Sequence, residues 1–231
     1  LIDVQQLTAG ASQQTFKVSV RHRKGHEGHY ALRRAQPGLE RSSYGQVTPS
    51  VEAELLELAS SAHVPVPRVI ESLDSADGLG DGYLMEWLNG ETMGYRIVKL
   101  PELENTREKL AFECGQALAR IHAIKVPESV RNVLHAVSPE GLVRETWEAY
   151  IALETPQPMI DYTAQWLLRN IPPQSDNALV HGDFRIGNMM FDAEAGGKMM
   201  FEYTTEIARL REAVHDDARG LVLLVELQLR R

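Results

Sequence analysis

Residues 181–190 read HGDFRIGNMM and follow directly on a short apolar run, ALV, at 178–180. Asp183 is followed five positions later by Asn188, with His181 ahead of both and glycines at 182 and 187. These residue types suit one kind of chemistry. A carboxylate can orient a hydroxyl nucleophile and accept its proton. An amide oxygen a short loop away can hold Mg²⁺ against phosphates without adding like-charge repulsion beside the base. The glycines let the backbone close the tight loop between them. The spacing alone also fits an Asp-capped turn after a strand, with Asn188 in a left-handed turn position. The segments upstream decide between the two.

The first third of the chain reads as strands. In TFKVSVR, Phe16, Val18 and Val20 alternate with Lys17 and Ser19, the period-two pattern of a half-buried strand. A hairpin follows, turning around Gly25 and Gly28 and returning at Tyr30 to Arg33. His22, His26 and His29 lie there, and with no carboxylate or thiol completing a set nearby they read as turn residues. VEAELLELASS at 51–61 reads as a helix, VPVPRVIES at 64–72 as extended chain, and Tyr83 to Trp87 as a strand with a glycine-marked exit at Gly90. From about residue 104 the pattern turns helical, around 110–124, 139–154 and 159–170, the last ended by Pro172 and Pro173. A further helix is expected over 206–229. The order is a strand-rich lobe, a connector near residues 86–90, and a helical lobe.

Composition sets the bounds. The chain has 231 residues, enough to bury a real core in one large domain or two lobes. Its net charge of −8 disfavours nucleic acid and anionic membranes as partners. The single cysteine, Cys114, excludes an intramolecular disulfide and falls at a core position of a helix. No apolar run reaches the ~20 residues that span a bilayer. No basic-then-apolar leader opens the sequence, so a cytoplasmic protein is expected. A hydrolase is disfavoured by the lack of a G-x-S-x-G elbow.

H-x-D-x-x-x-x-N is the spacing of kinase catalytic loops. The segments LTAGASQQTFKV, YALRRAQPG, VPVPRVI, GYLMEWLNGETM, GQALARIHAI and LVHGDFRIGNMMFD, in this order, resemble the aminoglycoside phosphotransferase and choline kinase-like small-molecule kinases. The branch is similar to the kinase-like domain attached to some acyl-CoA dehydrogenases. That resemblance implies an α+β, protein-kinase-like fold. Residues 1–88 would form a small nucleotide-binding sheet lobe, and 89–231 a helical lobe carrying the catalytic loop, much of it absent after residue 200. It implies an ATP-dependent (or GTP-dependent), Mg²⁺-assisted phosphotransferase acting on a hydroxyl of a small molecule, of unknown oligomeric state.

The roles implied are as follows. Asp183 is the base, Asn188 a metal ligand and His181 an anchor of the loop. Gly10 and Ser12 belong to the loop over the phosphates. Arg33, with Arg34 as its neighbour by register, binds phosphate. Glu52, with Glu54 as the alternative, pairs with that cation. Met85, Glu86 and Leu88 belong to the hinge that offers backbone groups to the base of the nucleotide. Arg185 positions substrate or braces the loop.

One departure stands out. The family's second aspartate, in a segment resembling V-x-D-W-E, has no counterpart; Glu202 falls at about the right distance from Asp183. Three explanations stay open: a segment absent from this sequence between Met200 and Phe201, a true deletion, or use of Glu202 as the metal carboxylate. Asp192 comes too soon and reads as a turn residue. A deletion would favour a non-catalytic nucleotide- or metabolite-binding protein.

Overall fold

A computed structural model of the chain describes residues 1–7, 13–36, 47–171, 177–194, 198–201 and 209–212. The first unit is an antiparallel sheet. It comprises β1 (Asp3–Leu7), β2 (Gln13–Arg21), β3 (Glu27–Ala35), β4 (Val69–Ser72) and β5 (Gly82–Glu86), in the order β1-β2-β3-β5-β4. The alternation around Phe16, Val18 and Val20 lies in β2, and Gly25 turns the β2–β3 hairpin at φ 86°.

Helix α1 (Pro49–Ser61) packs on this sheet. Its start is written locally: Thr48 accepts a hydrogen bond from the Val51 N–H, and Pro49 supplies the preset φ of a first turn. Ala53 and Leu56 bury against Ala31, Tyr83 and Met85. Leu55, on another face, joins the larger core of the second unit, so α1 belongs to both.

The second unit contains α2 (Gly94–Ile97), α3 (Glu104–His122), α4 (Glu128–Arg131), α5 (Pro139–Ile151) and α6 (Pro158–Arg169). Between and after them run β6 (His135–Val137), β7 (Asn177–Val180), β8 (Met189–Asp192), β9 (Lys198–Phe201) and β10 (Arg209–Glu212). Helix α3 is its spine. Leu110, Cys114, Ala117 and Ile121 recur at three- and four-residue spacing and meet Leu179, Met189, Phe191 and Met199. Cys114 is a core residue, as its helical position predicts. Its Sγ lies 3.9 Å from Met189 Sδ and 4.0 Å from Met199 Sδ. Burial, reinforced by Glu113, pushes the thiol up to about 12.

One element departs from the sequence reading. Within the helix expected over 206–229, Arg209–Glu212 is a strand, lying between β6, parallel to it, and β7, antiparallel. Main-chain pairing on both flanks outweighs a helical preference that is only local. The rest of that reading lies outside the described residues, and β6, three residues long, carries too little pattern to be foreseen.

Candidate active site

The loop quoted at the outset is held from both ends. Strand β7 delivers it, and β8 leaves it paired with β9 from Met189↔Phe201 to Asp192↔Lys198. Gly182 makes the first bend at φ 81°, a left-handed conformation that strains residues with a Cβ. Ile186–Asn188 form a single 3₁₀ turn closed by the Asn188 N–H on the Arg185 carbonyl. Asn188 is not in the left-handed region; it ends this turn with its side chain inward, only 4% exposed.

Inside the loop, side chains converge on Asp183. Asn188 Nδ2 donates to Asp183 Oδ2 at 2.8 Å and to the Asp183 carbonyl at 2.6 Å. Arg185 Nε lies 3.0 Å from Oδ2 and 3.2 Å from Oδ1. The Asp183 N–H donates to His181 Nδ1 at 3.3 Å, which requires that nitrogen to be unprotonated. Burial lowers the pKa of His181, against the pull of Asp183, and so keeps the acceptor in place. His181 also meets the Phe184 ring edge-on at 5.5 Å. Because Nδ2 of Asn188 is spent on Asp183, the amide oxygen is turned away from that carboxylate.

The second constellation lies between β3 and α1. Arg33 Nε donates to Glu52 Oε2 at 3.0 Å, with side-chain exposures of 8% and 6%. Burial raises the pKa of Glu52, while Arg33, Gln13 and Tyr83 beside it pull it down. The alternatives sort by face: Glu54 is exposed on α1, and Arg34 turns the other way, to Gln14 Oε1 at 2.9 Å and the Leu79 carbonyl.

Residues 85–88 connect the sheet to the helices. Met85 is fully buried in the sheet core, and the Glu86 N–H is bonded to the Arg68 carbonyl. Beyond the strand end, the main chain of half-buried Leu88 has no hydrogen bond among the described residues, and the Trp87 indole N–H donates to Asn89 Oδ1 at 3.0 Å. The Lys17 ammonium sits 4.6 Å above the Trp87 ring.

A contact the sequence did not disclose ties this connector to the strand that leaves the Asp183 loop. Glu91 and Phe191 exchange both main-chain hydrogen bonds, at 2.9 and 3.0 Å. Gly90 permits it, because a Cβ there would stand 2.9 Å from the Phe191 carbonyl oxygen. Its only signal in the sequence is the glycine itself, which marks the exit of the strand.

Among the described residues no three of His, Cys, Asp and Glu could hold a metal, the hairpin histidines included. His22 stacks on His26 at 4.3 Å and meets Tyr30 Oη through Nε2. Asp192 closes a local turn, accepting from the Glu194 N–H. Gly10, Ser12 and Glu202 lie outside the described residues. No described helix is long and apolar enough to cross a membrane.

Comparison with known proteins agrees with the fold. Mouse acyl-CoA dehydrogenase family member 10 is 31% identical over 169 residues, which are 68% of this chain and 15% of that protein. Chicken acyl-CoA dehydrogenase family member 11 is 27% identical over 201 residues, 82% of this chain and 24% of its own. The chain thus spans about a quarter or less of these relatives. Among solved structures, a Ralstonia eutropha protein named for aminoglycoside phosphotransfer superposes with a TM-score of 0.63 at 21% identity, over 91% of this chain and 60% of its own. Spectinomycin phosphotransferase with ADP and spectinomycin follows the same fold, with a TM-score of 0.57 at 13% identity, over 90% of this chain and 64% of its own. The sequence model of the phosphotransferase enzyme family matches residues 3–201, nearly the whole of the described molecule. By that match, and by a sheet-plus-helix architecture shared with the aminoglycoside phosphotransferases, the chain belongs to the phosphotransferase enzyme family.

Proposed function

We propose that this chain is an ATP- or GTP-dependent kinase that transfers a phosphoryl group to a hydroxyl of a small molecule. The observation that carries the reading is the loop itself, in which the Asp183 carboxylate is fixed by Asn188 and Arg185 with His181 bracing its backbone. Solved structures of like fold support nucleotide use, one holding ADP with spectinomycin and another GDP with kanamycin.

In this reading Asp183 accepts the hydrogen bond of the acceptor hydroxyl and aims its oxygen at the γ-phosphorus. Arg33 faces the nucleotide phosphates, with Glu52 setting its orientation, and Gly10 and Ser12 close over them. The main-chain groups of Met85 to Leu88 hold the base, Leu88 being the one with hydrogen-bonding capacity to spare. Asn188 Oδ1, turned away from Asp183, suits a Mg²⁺ ligand. Glu202 suits the accompanying carboxylate: in sequence it follows Phe201, whose partner Met189 follows Asn188. A Mg²⁺ ion held there supplies neutralisation of the phosphate charge.

The rival reading is a non-catalytic nucleotide- or metabolite-binding protein, favoured by a sequence with no segment resembling V-x-D-W-E after Asn188. Nucleotide consumption in Mg²⁺, across a panel of sugars, amino alcohols and hydroxyacyl compounds, separates the two. The kinase reading expects acceptor-dependent turnover that Asp183→Ala abolishes. Equal background in both proteins supports the rival.

A further inference from the structure

Arg185 is the one strong cation of the catalytic loop, and its use of hydrogen bonds is lopsided. Nε is committed to Asp183, at 3.0 and 3.2 Å from the two carboxylate oxygens. Nη1 and Nη2 make no hydrogen bond among the described residues, although together they carry four N–H donors. The side chain is 52% exposed, so these donors face open space rather than the protein interior.

The neighbouring glycine is shaped to admit this arrangement. A Cβ on Gly187 would collide with Arg185 Nη1. Gly187 is not among the residues with positive φ, so its backbone would accept alanine without strain. What Gly187 provides is room for the guanidinium.

We infer that Arg185 is a further catalytic residue: its Nε fixes the Asp183 carboxylate while its Nη groups bind the phosphoryl group being transferred. This rests on the kinase reading above. An acceptor hydroxyl bonded to Asp183 lies about 2.7 Å from the carboxylate, and the phosphorus it attacks about 3–3.5 Å beyond. The phosphoryl oxygens therefore lie within one guanidinium's width of the atoms that Nε already touches. In the transfer, the acceptor oxygen forms a bond to the γ-phosphorus and its proton passes to Asp183. The bond from the γ-phosphorus to the bridging oxygen breaks, its electron pair leaving with the nucleoside diphosphate. Arg185 gives up no proton. A guanidinium meets the spreading charge as a planar fork, which a lysine ammonium does not reproduce.

The test is a set of steady-state measurements on the full chain, with the acceptor that turns over in wild type. Arg185→Ala is expected to lower kcat by about 10²–10³-fold, the usual loss for one transition-state donor. Nucleotide KM should stay within about threefold, because the lost contact belongs to the transition state. Gly187→Ala is expected to lower kcat at least about tenfold in wild type, yet hardly at all beside Arg185→Lys, which has no atom at the Nη1 position. Unchanged melting temperatures would confirm folded variants, and Arg185→Lys alone tests the idea should Arg185→Ala not fold. Arg185→Ala with kcat near wild type, or a Gly187→Ala cost that is equal with arginine and lysine at 185, overturns the inference and leaves the kinase reading standing. A wild type without Mg²⁺-dependent transfer overturns both.

Discussion

Replacing Glu52 by alanine removes a carboxylate bonded to a buried guanidinium, that of Arg33. Both side chains of the Arg33–Glu52 pair are more than nine-tenths buried and meet at 3.0 Å. Taking away one member leaves the other charge buried without this counter-ion, at a cost of about 3–5 kcal/mol. Domains have about 5–15 kcal/mol in hand, so the loss is large without being fatal in every case. In urea, with a slope of about 1–3 kcal/mol per molar, the midpoint should fall by more than about 1 M. The probe is intrinsic fluorescence, since Trp87 follows β5 directly. Glu54→Ala, on the exposed face of the same helix, should stay within about 0.5 kcal/mol. The elevated pKa of Glu52 says that burial outweighs the attraction of Arg33 for this group. An apolar pair of similar volume, Arg33→Met with Glu52→Leu, should therefore recover most of the stability while abolishing nucleotide turnover. A Glu52→Ala midpoint within error of Glu54→Ala would refute the reasoning.

Three further outcomes follow from the loop and the core. His181 has a depressed pKa, so its contribution to stability is complete above the usual histidine value and is lost as pH falls through the lower folded value. Wild type should therefore lose more melting temperature between pH 7.5 and pH 5 than His181→Gln, and equal losses would contradict the assigned tautomer. Asn188→Ala should raise the Mg²⁺ concentration for half-maximal turnover by about 10–100-fold, read from a Mg²⁺ titration at saturating nucleotide. Cys114, buried and with its thiol pushed up to about 12, should resist Ellman's reagent at pH 8 until urea unfolds the chain.

The sheet and the long helices were legible because each has a period that burial enforces. Phe16, Val18 and Val20 in β2, or Leu110, Cys114, Ala117 and Ile121 in α3, state which face is inward before any partner is known. The paired cation and carboxylate were legible only to within a neighbour. Strand register decided them, since Arg33 pairs across from buried Thr15 while Arg34 lies opposite Gln14. Strands β6 and β10 were hidden for a different reason. Each is three or four residues long and exists through pairing with distant chain, which no local pattern records. The clamp between Glu91 and Phe191 is of the same kind, spanning 100 positions of sequence through main-chain bonds that any residue type can make. In the loop at 181–188, the Asp183 and Asn188 residue types suggested the proposed chemistry. The bifurcated approach of Arg185 Nε to both Asp183 oxygens depends on side-chain geometry that the spacing does not encode.

Asp183 bears the most weight, and it can be tested alone. Asp183→Asn keeps the shape of the side chain and the possibility of a bond to Asn188, but removes the proton acceptor. Single-turnover transfer from radiolabelled nucleotide to acceptor, beside nucleotide affinity by titration calorimetry, isolates that loss. A transfer rate lower by about 10²–10⁴-fold with nucleotide affinity within about threefold is the predicted result. Transfer at the wild-type rate by Asp183→Asn would contradict the assignment of Asp183 as the base.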